Sequence, residues 1–134
     1  IDEKTRTEGK DIDSASVLMT TETNKQITII NSRRASVGYD QRVEVHCSNA
    51  TLNVNSMRET TLVVADAGGI AETPLENFFM TRYQDAYRRE IEHFVSCVQS
   101  SSIPLVLGSD GMEALVLAES AGTSFSSGFP VKFD

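Results

Sequence analysis

The stretch that decides the fold is Phe78–Val98, FFMTRYQDAYRREIEHFVSCV, where the spacing of the apolar residues changes. Within it the apolar side chains recur every three or four residues, at Phe79, Tyr83, Tyr87, Ile91, Phe94 and Val98. That spacing places them on one face of an α-helix and leaves the charged residues on the other. The pattern predicts a helix from Phe78 to the serine run at 100–102, with an aromatic stripe that covers one face of a sheet.

Upstream of this helix, short runs rich in alternating or β-branched apolar residues indicate strands. The first two runs flank the turn TETNKQ at 21–26, which predicts a hairpin. Further runs are RVEVHC at 42–47, TLNVN at 51–55, TTLVVAD at 60–66 and IAET at 70–73. Five or six strands with such short connections imply antiparallel pairing, because parallel neighbours need long crossovers. The predicted fold class is α+β: an open, mainly antiparallel β-sheet with helices packed on one face.

A second helix is predicted after the stretch SSSIPLVLGSDGMEA. Ser109 or Asp110 is the expected N-cap, with Glu113 placed to complete a capping box with Asp110. Gly128 is expected to end this helix, and FPVKFD at 129–134 to return as a last short strand. The glycines around Asp110 fit neither the dinucleotide fingerprint nor the P-loop, so helix capping explains them better than phosphate binding.

Length and charge exclude several classes of function. The 134 residues suit one domain, in which residues 1–11 are expected to be a connector and residues 12–134 the domain proper. A net charge of −7 with scattered basic residues argues against nucleic acid as a partner. No apolar run is long enough to cross a membrane, and no export signal is seen, so a cytoplasmic protein is expected.

The cysteines and histidines form no spacing typical of a metal or catalytic site. Cys47 and Cys97 are fifty residues apart, which favours two buried free thiols and leaves a single disulfide as the alternative. His46 is expected to point outward from a strand, and His93 to flank the helix stripe. No catalytic, cofactor-binding or metal-binding residue is therefore predicted in this chain.

The most chemically varied stretch is Asn31–Cys47, NSRRASVGYDQRVEVHC. Five of its side chains form several hydrogen bonds each and suit a polyhydroxylated ligand: Arg33, Tyr39, Asp40, Gln41 and Arg42. The alternative is an ordinary turn between strands whose charges are solvated. The residue types alone favour neither interpretation.

Three segments together resemble a known family. They are NSRRASVGYDQRVEVHCSNATL at 31–52, the helix stretch at 78–98 and LGSDGMEALVLAESAGTSFSSGFPVK at 107–132. In that order they are similar to the C-terminal domain of inositol 2-dehydrogenases in the Gfo/Idh/MocA oxidoreductase family. The resemblance runs from about Gly9 to Asp134, and GYDQR at 38–42 is its most specific part.

This resemblance implies a two-domain enzyme, in which an N-terminal Rossmann domain binds NAD and this chain is the substrate-binding and oligomerisation domain. It also implies that the catalytic Lys, Asp and His lie outside this chain, so the chain alone is expected to be inactive. The expected substrate is a polyol, bound with the help of Tyr39, Asp40, Gln41 and Arg33. Relatives often read YGYDQR, whereas Val37 stands here in place of the first tyrosine.

The resemblance further implies a homodimer or homotetramer formed through the open sheet. The strands predicted at 12–34 mix polar and apolar residues, which suits a subunit interface that contains some water. Two alternatives to an inositol dehydrogenase remain: another sugar or cyclitol dehydrogenase of the same family, or a non-catalytic module for assembly or ligand sensing, because a fold does not fix a function.

Overall fold

The computed structural model describes residues 4, 7–8 and 12–133. The chain divides into two compact units. One contains the residues up to Ala15 together with Asn31–Arg89, and the other contains Ser16–Ile30 together with the residues from Glu90 onward. Most of the predicted connector at 1–11 lies outside the described residues.

The first unit contains two antiparallel hairpins. Strands β3 (Val43–His46) and β4 (Thr51–Val54) pair through a short turn, and strands β5 (Val63–Asp66) and β6 (Gly69–Glu72) pair through a two-residue turn. Gly69 has φ +129°, a backbone conformation that residues other than glycine rarely adopt. Beyond β6, Leu75 forms an isolated antiparallel bridge with Arg58, so the segments that flank the second hairpin also run side by side.

The second unit contains most of another hairpin, formed by β1 (Ser14–Thr20) and β2 (Gln26–Ser32). Side chains of β1 alternate between exposed and half-buried, with Val17 and Met19 on the half-buried side, as predicted. Val17 and Met19 line a surface groove of about 350 Å³ whose other wall is formed by Leu117, Ala121 and the residues around Val131. A helix therefore lies across this groove from the half-buried side of β1.

The long aromatic helix is interrupted. Instead of one helix from Phe78, the chain forms α1 (Phe79–Arg82) and α2 (Gln84–Ser100), separated at Tyr83. Tyr83 caps α1 with φ −107° and ψ 11°, and its amide donates to the Phe79 carbonyl. At the other end, Ser101 takes φ 53°, and the Ser102 amide donates to the Cys97 carbonyl, which ends α2 where the serine run predicted.

The last helix, α3 (Gly108–Ser127), starts differently from the prediction. Its N-cap is Leu107, so neither Ser109 nor Asp110 occupies that position, and the predicted capping box of Asp110 with Glu113 is wrong. Asp110 lies at the third helical position, and its carboxylate accepts a hydrogen bond from the Leu107 amide at 2.6 Å. Leu107 is extended, and the helix begins directly after it at Gly108.

The end of α3 agrees with the prediction, but the strand after it does not. Gly128 is left-handed with φ 73°, and its amide donates to the Ser124 carbonyl. Residues 129–133 then continue without joining any ladder among the described strands, so the predicted last strand is wrong over that range. Pro130 contributes to this because it lacks the amide proton that a ladder needs.

The predicted α+β class is confirmed, with antiparallel strands followed by helices. The described strands pair as three two-stranded sheets. Both thiols are free, but only Cys97 is buried, so the prediction of two buried thiols is wrong for Cys47. Cys47 follows the last residue of β3 and lies in an exposed turn. No helix in the described part of the chain is long and apolar enough to span a membrane.

Candidate substrate-binding site

The loop before β3 is held close to a neighbouring segment by its backbone. Gly38 has φ +117°, and a Cβ atom built on it would lie 2.9 Å from the Leu75 Cβ and 3.0 Å from the Glu76 carbonyl oxygen. The next residue, Tyr39, donates its amide to that Glu76 oxygen at 2.6 Å. Only glycine allows this combination of dihedral angle and close approach. The path of the loop is therefore set at Gly38 and Tyr39.

The Ser56 side chain forms hydrogen bonds with the two residues that follow Tyr39, namely Asp40 and Gln41. The Gln41 amide donates to the Ser56 hydroxyl at 3.0 Å, and that hydroxyl donates to a carboxylate oxygen of Asp40. Arg42 binds the same carboxylate with two parallel hydrogen bonds, of 3.0 and 2.9 Å. Both carboxylate oxygens of Asp40 are thus engaged inside the protein, in the fork geometry that arginine forms well.

These contacts shift the ionisation of Asp40. The hydrogen bond from Ser56 is the largest cause and, with a smaller contribution from Arg42, it lowers the pKa of the Asp40 carboxyl below its usual value. Partial desolvation acts in the opposite direction but is outweighed. Asp40 is therefore a carboxylate at neutral pH, and it can keep both partners in place.

Tyr39 and Gln41 meet a third side chain, Tyr83, from the break between α1 and α2. The rings of Tyr39 and Tyr83 lie edge to face, with centroids 5.6 Å apart and planes at 83°. The Tyr83 hydroxyl donates to the side-chain oxygen of Gln41. Tyr39 and Gln41 therefore present a phenol and an amide at one place, on a loop whose backbone is fixed independently of either side chain.

Arg33 is anchored at a different point of the loop. Its amide donates to the Asp13 carbonyl at 2.8 Å, where the β1–β2 hairpin opens. Of the four predicted site residues, the structure joins Tyr39, Asp40 and Gln41 through the contacts described above. A role for Arg33 in ligand binding stays a prediction.

Sequence reasoning missed Ser56 and Tyr83 as parts of this site. Ser56 follows a strand and has no motif around it, while Tyr83 fits the apolar stripe and gives no separate signal. Gln41 and Tyr83 are 42 residues apart, so no local spacing connects them. The lone indication for Tyr83 is its hydroxyl, since a phenol that is buried in part needs a hydrogen-bond partner.

The two histidines have structural partners. His46 points outward from β3 and contacts the Glu44 carboxylate at 2.7 Å, on the same exposed face. His93 accepts a hydrogen bond from the Leu105 amide at 3.1 Å and lies 3.5 Å from the Cys97 sulfur. His93 therefore ties α2 to the segment before α3.

Comparison with known proteins identifies the family. The profile described as the oxidoreductase family, C-terminal alpha/beta domain, matches residues 2–133. Inositol 2-dehydrogenase of Rhizobium meliloti is 43% identical over 111 residues, which is 83% of this chain and 34% of that protein. Myo-inositol 2-dehydrogenase of Thermotoga maritima is 38% identical over 124 residues, or 92% of this chain and 37% of that protein.

A solved structure supports the same relationship. The crystal structure of a myo-inositol dehydrogenase from Corynebacterium glutamicum superposes with a TM-score of 0.88 and 32% sequence identity, covering 95% of this chain and 38% of that one. The chain spans about a third of the length of the curated relatives it matches. By sequence and by fold, it belongs to the Gfo/Idh/MocA oxidoreductase family and carries the C-terminal alpha/beta domain of that family.

Proposed function

We propose that this chain is the substrate-binding domain of a longer, cytoplasmic, NAD-dependent inositol 2-dehydrogenase, which oxidises a ring hydroxyl of myo-inositol to a ketone. The observation that carries the proposal is the 43% identity to an inositol 2-dehydrogenase over most of the chain. The two free thiols favour a reducing compartment. When bound, NAD would accept the hydride from the ring carbon.

The loop at 38–42 is suited to binding a polyol. A cyclitol carries a hydroxyl group on every ring carbon, so its recognition needs several hydrogen-bonding groups at fixed positions. Tyr39 offers a phenol that both donates and accepts, and Gln41 offers an amide nitrogen with two donor protons. Asp40 acts indirectly in this proposal, because Ser56 and Arg42 already occupy its carboxylate.

This proposal places the NAD site outside this chain. Within residues 12–133, a glycine-bearing turn opens a helix at the start of α3, and there the Asp110 carboxylate accepts a hydrogen bond from the Leu107 amide. A carboxylate at that position competes with a phosphate for the donors and repels its charge. In this proposal the dinucleotide therefore binds to another part of the full-length protein, and no hydride-transfer step is assigned to residues of this chain.

A different cyclitol or sugar is the second candidate substrate. Val37 takes the place of a tyrosine common among relatives, and its side chain is 61% exposed beside Gly38. An apolar side chain there removes one hydroxyl from the edge of the loop. The loss would alter which ring positions are recognised without changing the reaction type.

We further propose that the full-length protein is a homo-oligomer that uses exposed strand faces. Val43 lies opposite Val54, and Val45 lies opposite Leu52, so these four side chains share one face of the β3–β4 hairpin. Each is between 44% and 57% exposed. An apolar face of this kind is typical of surfaces that subunits cover.

The test of the reaction is NADH formation by the full-length protein, with myo-inositol, scyllo-inositol and glucose offered separately. We expect turnover with an inositol and none with the isolated chain under the same conditions. Preference for glucose would favour the second candidate. No reduction of NAD with any of the three would contradict the proposal.

A further inference from the structure

Tyr83 lies at the break between two helices in the first unit. It is the residue between α1 and α2, and its backbone departs there from helical geometry, with φ −107° and ψ 11°. It contacts Tyr39 on one side and Tyr87 on the other, where the ring centroids are 6.2 Å apart. The Arg82 guanidinium lies over its ring at 5.2 Å. These contacts hold the phenol in one orientation.

The hydroxyl of Tyr83 is a hydrogen-bond donor at working pH. Partial burial is the largest cause that raises the pKa of Tyr83, and the neighbouring Tyr39 phenol adds to it. Arg82 acts in the opposite direction with a smaller effect. The phenol therefore keeps its proton and donates a hydrogen bond to the side-chain oxygen of Gln41.

This bond determines what Gln41 can offer to a ligand. An amide has one oxygen that accepts and one nitrogen that donates two protons. With the oxygen turned to Tyr83, the nitrogen points away from it. Among the residues that the structure describes, no partner engages this nitrogen. A hydrogen bond accepted at the oxygen also polarises the amide, which makes its N–H groups stronger donors.

We propose that Tyr83 is a positioning residue for the polyol: it fixes the Gln41 amide so that its nitrogen donates to an oxygen of the bound cyclitol. The inference rests on the proposed function, because it assigns a role within that same site. It also restricts the ligand. The atom that faces Gln41 must be an acceptor, which a hydroxyl oxygen and a ketone oxygen both satisfy, so substrate and product bind there alike.

The experiment compares Tyr83→Phe with Tyr87→Phe in the full-length enzyme. Tyr83→Phe keeps the ring contacts and removes the hydroxyl that orients Gln41. Because Gln41 binds substrate and transition state equally in this proposal, KM for the polyol should rise about 3- to 10-fold while kcat changes less than about 2-fold. Tyr87→Phe is the matched control. Its hydroxyl makes no hydrogen bond among the described residues, so its KM should stay unchanged.

A double-mutant cycle separates positioning from a purely structural role. If Tyr83 acts through Gln41, Tyr83→Phe should have no further effect on KM in a Gln41→Ala background. An equal rise of KM in both backgrounds, or an unchanged KM in the single variant, would overturn the inference. Absence of polyol turnover in the unsubstituted enzyme is a different result, because it would overturn the proposed function and this inference with it.

Discussion

At the scale of single residues, Asp40 links the stability of the protein to pH. Its pKa is lowered in the folded protein, so on acidification the unfolded chain takes up a proton before the folded one does. The stability that Asp40 contributes is thus fully present above the 3.8 of an unperturbed carboxyl, and is lost as the pH falls through the lower, folded value.

The corresponding prediction concerns Asp40→Asn in the full-length protein. The wild type should lose thermal stability between about pH 5 and pH 2, and the variant should lose less over that range because it lacks the titrating group. Melting temperature measured against pH checks this. Asp85→Asn, on α2, removes the same charge without touching the loop and serves as the control. Parallel curves for wild type and Asp40→Asn would contradict the assignment.

Residue chemistry predicted part of the arrangement of the candidate site, and ligand binding there stays a prediction. The stretch around GYDQR was singled out because its side chains form many hydrogen bonds, and Tyr39 and Gln41 do lie together. The hydrogen bonds that Asp40 forms within the protein were not predictable, since they depend on Ser56, which is 16 positions away. The same holds for Tyr83, whose side chain fits the helix stripe as well as any apolar residue does.

At the scale of secondary-structure elements, substitutions at the start of α3 can test which residue caps this helix. Asp110 at the third helical position accepts the Leu107 amide, which is half of a capping box. Asp110→Ala should therefore destabilise the protein by about 0.5 to 2 kcal/mol, the usual cost of losing a cap. Ser109→Ala, at one of the two residues predicted as N-cap, should have little effect. Denaturant unfolding of both variants gives the comparison, and a larger loss for Ser109→Ala would contradict the cap described here and favour Ser109 as the N-cap.

The elements themselves were largely predictable, but their interruptions were not. Alternation in β1 and the three-to-four spacing of α2 reflect which side chains a strand or helix buries, and both follow from sequence. The break at Tyr83 does not, because the apolar period continues through it without a glycine or proline. A contact from a distant loop, rather than a local preference, distinguishes this position.

At the scale of the whole molecule, the apolar face of the β3–β4 hairpin makes the proposed oligomer testable. Leu52→Lys places a charge on the face shared with Val45, and it should shift the full-length protein towards monomer in light scattering. Asn53→Lys adds the same charge on the opposite face, since Asn53 pairs with Glu44. It should leave the molar mass unchanged. Dissociation by both variants, or by neither, would exclude this face as the interface.

The loop at 38–42 has a consequence for protein engineering. Its shape is set by backbone groups: the amide of Tyr39 binds Glu76, and the amide of Gln41 binds Ser56. Neither bond uses the side chain of Tyr39 or Gln41. A library randomised at these two positions can therefore vary the exposed side chains while each member keeps the same backbone path, and under the proposed function this would let substrate choice evolve without rebuilding the domain.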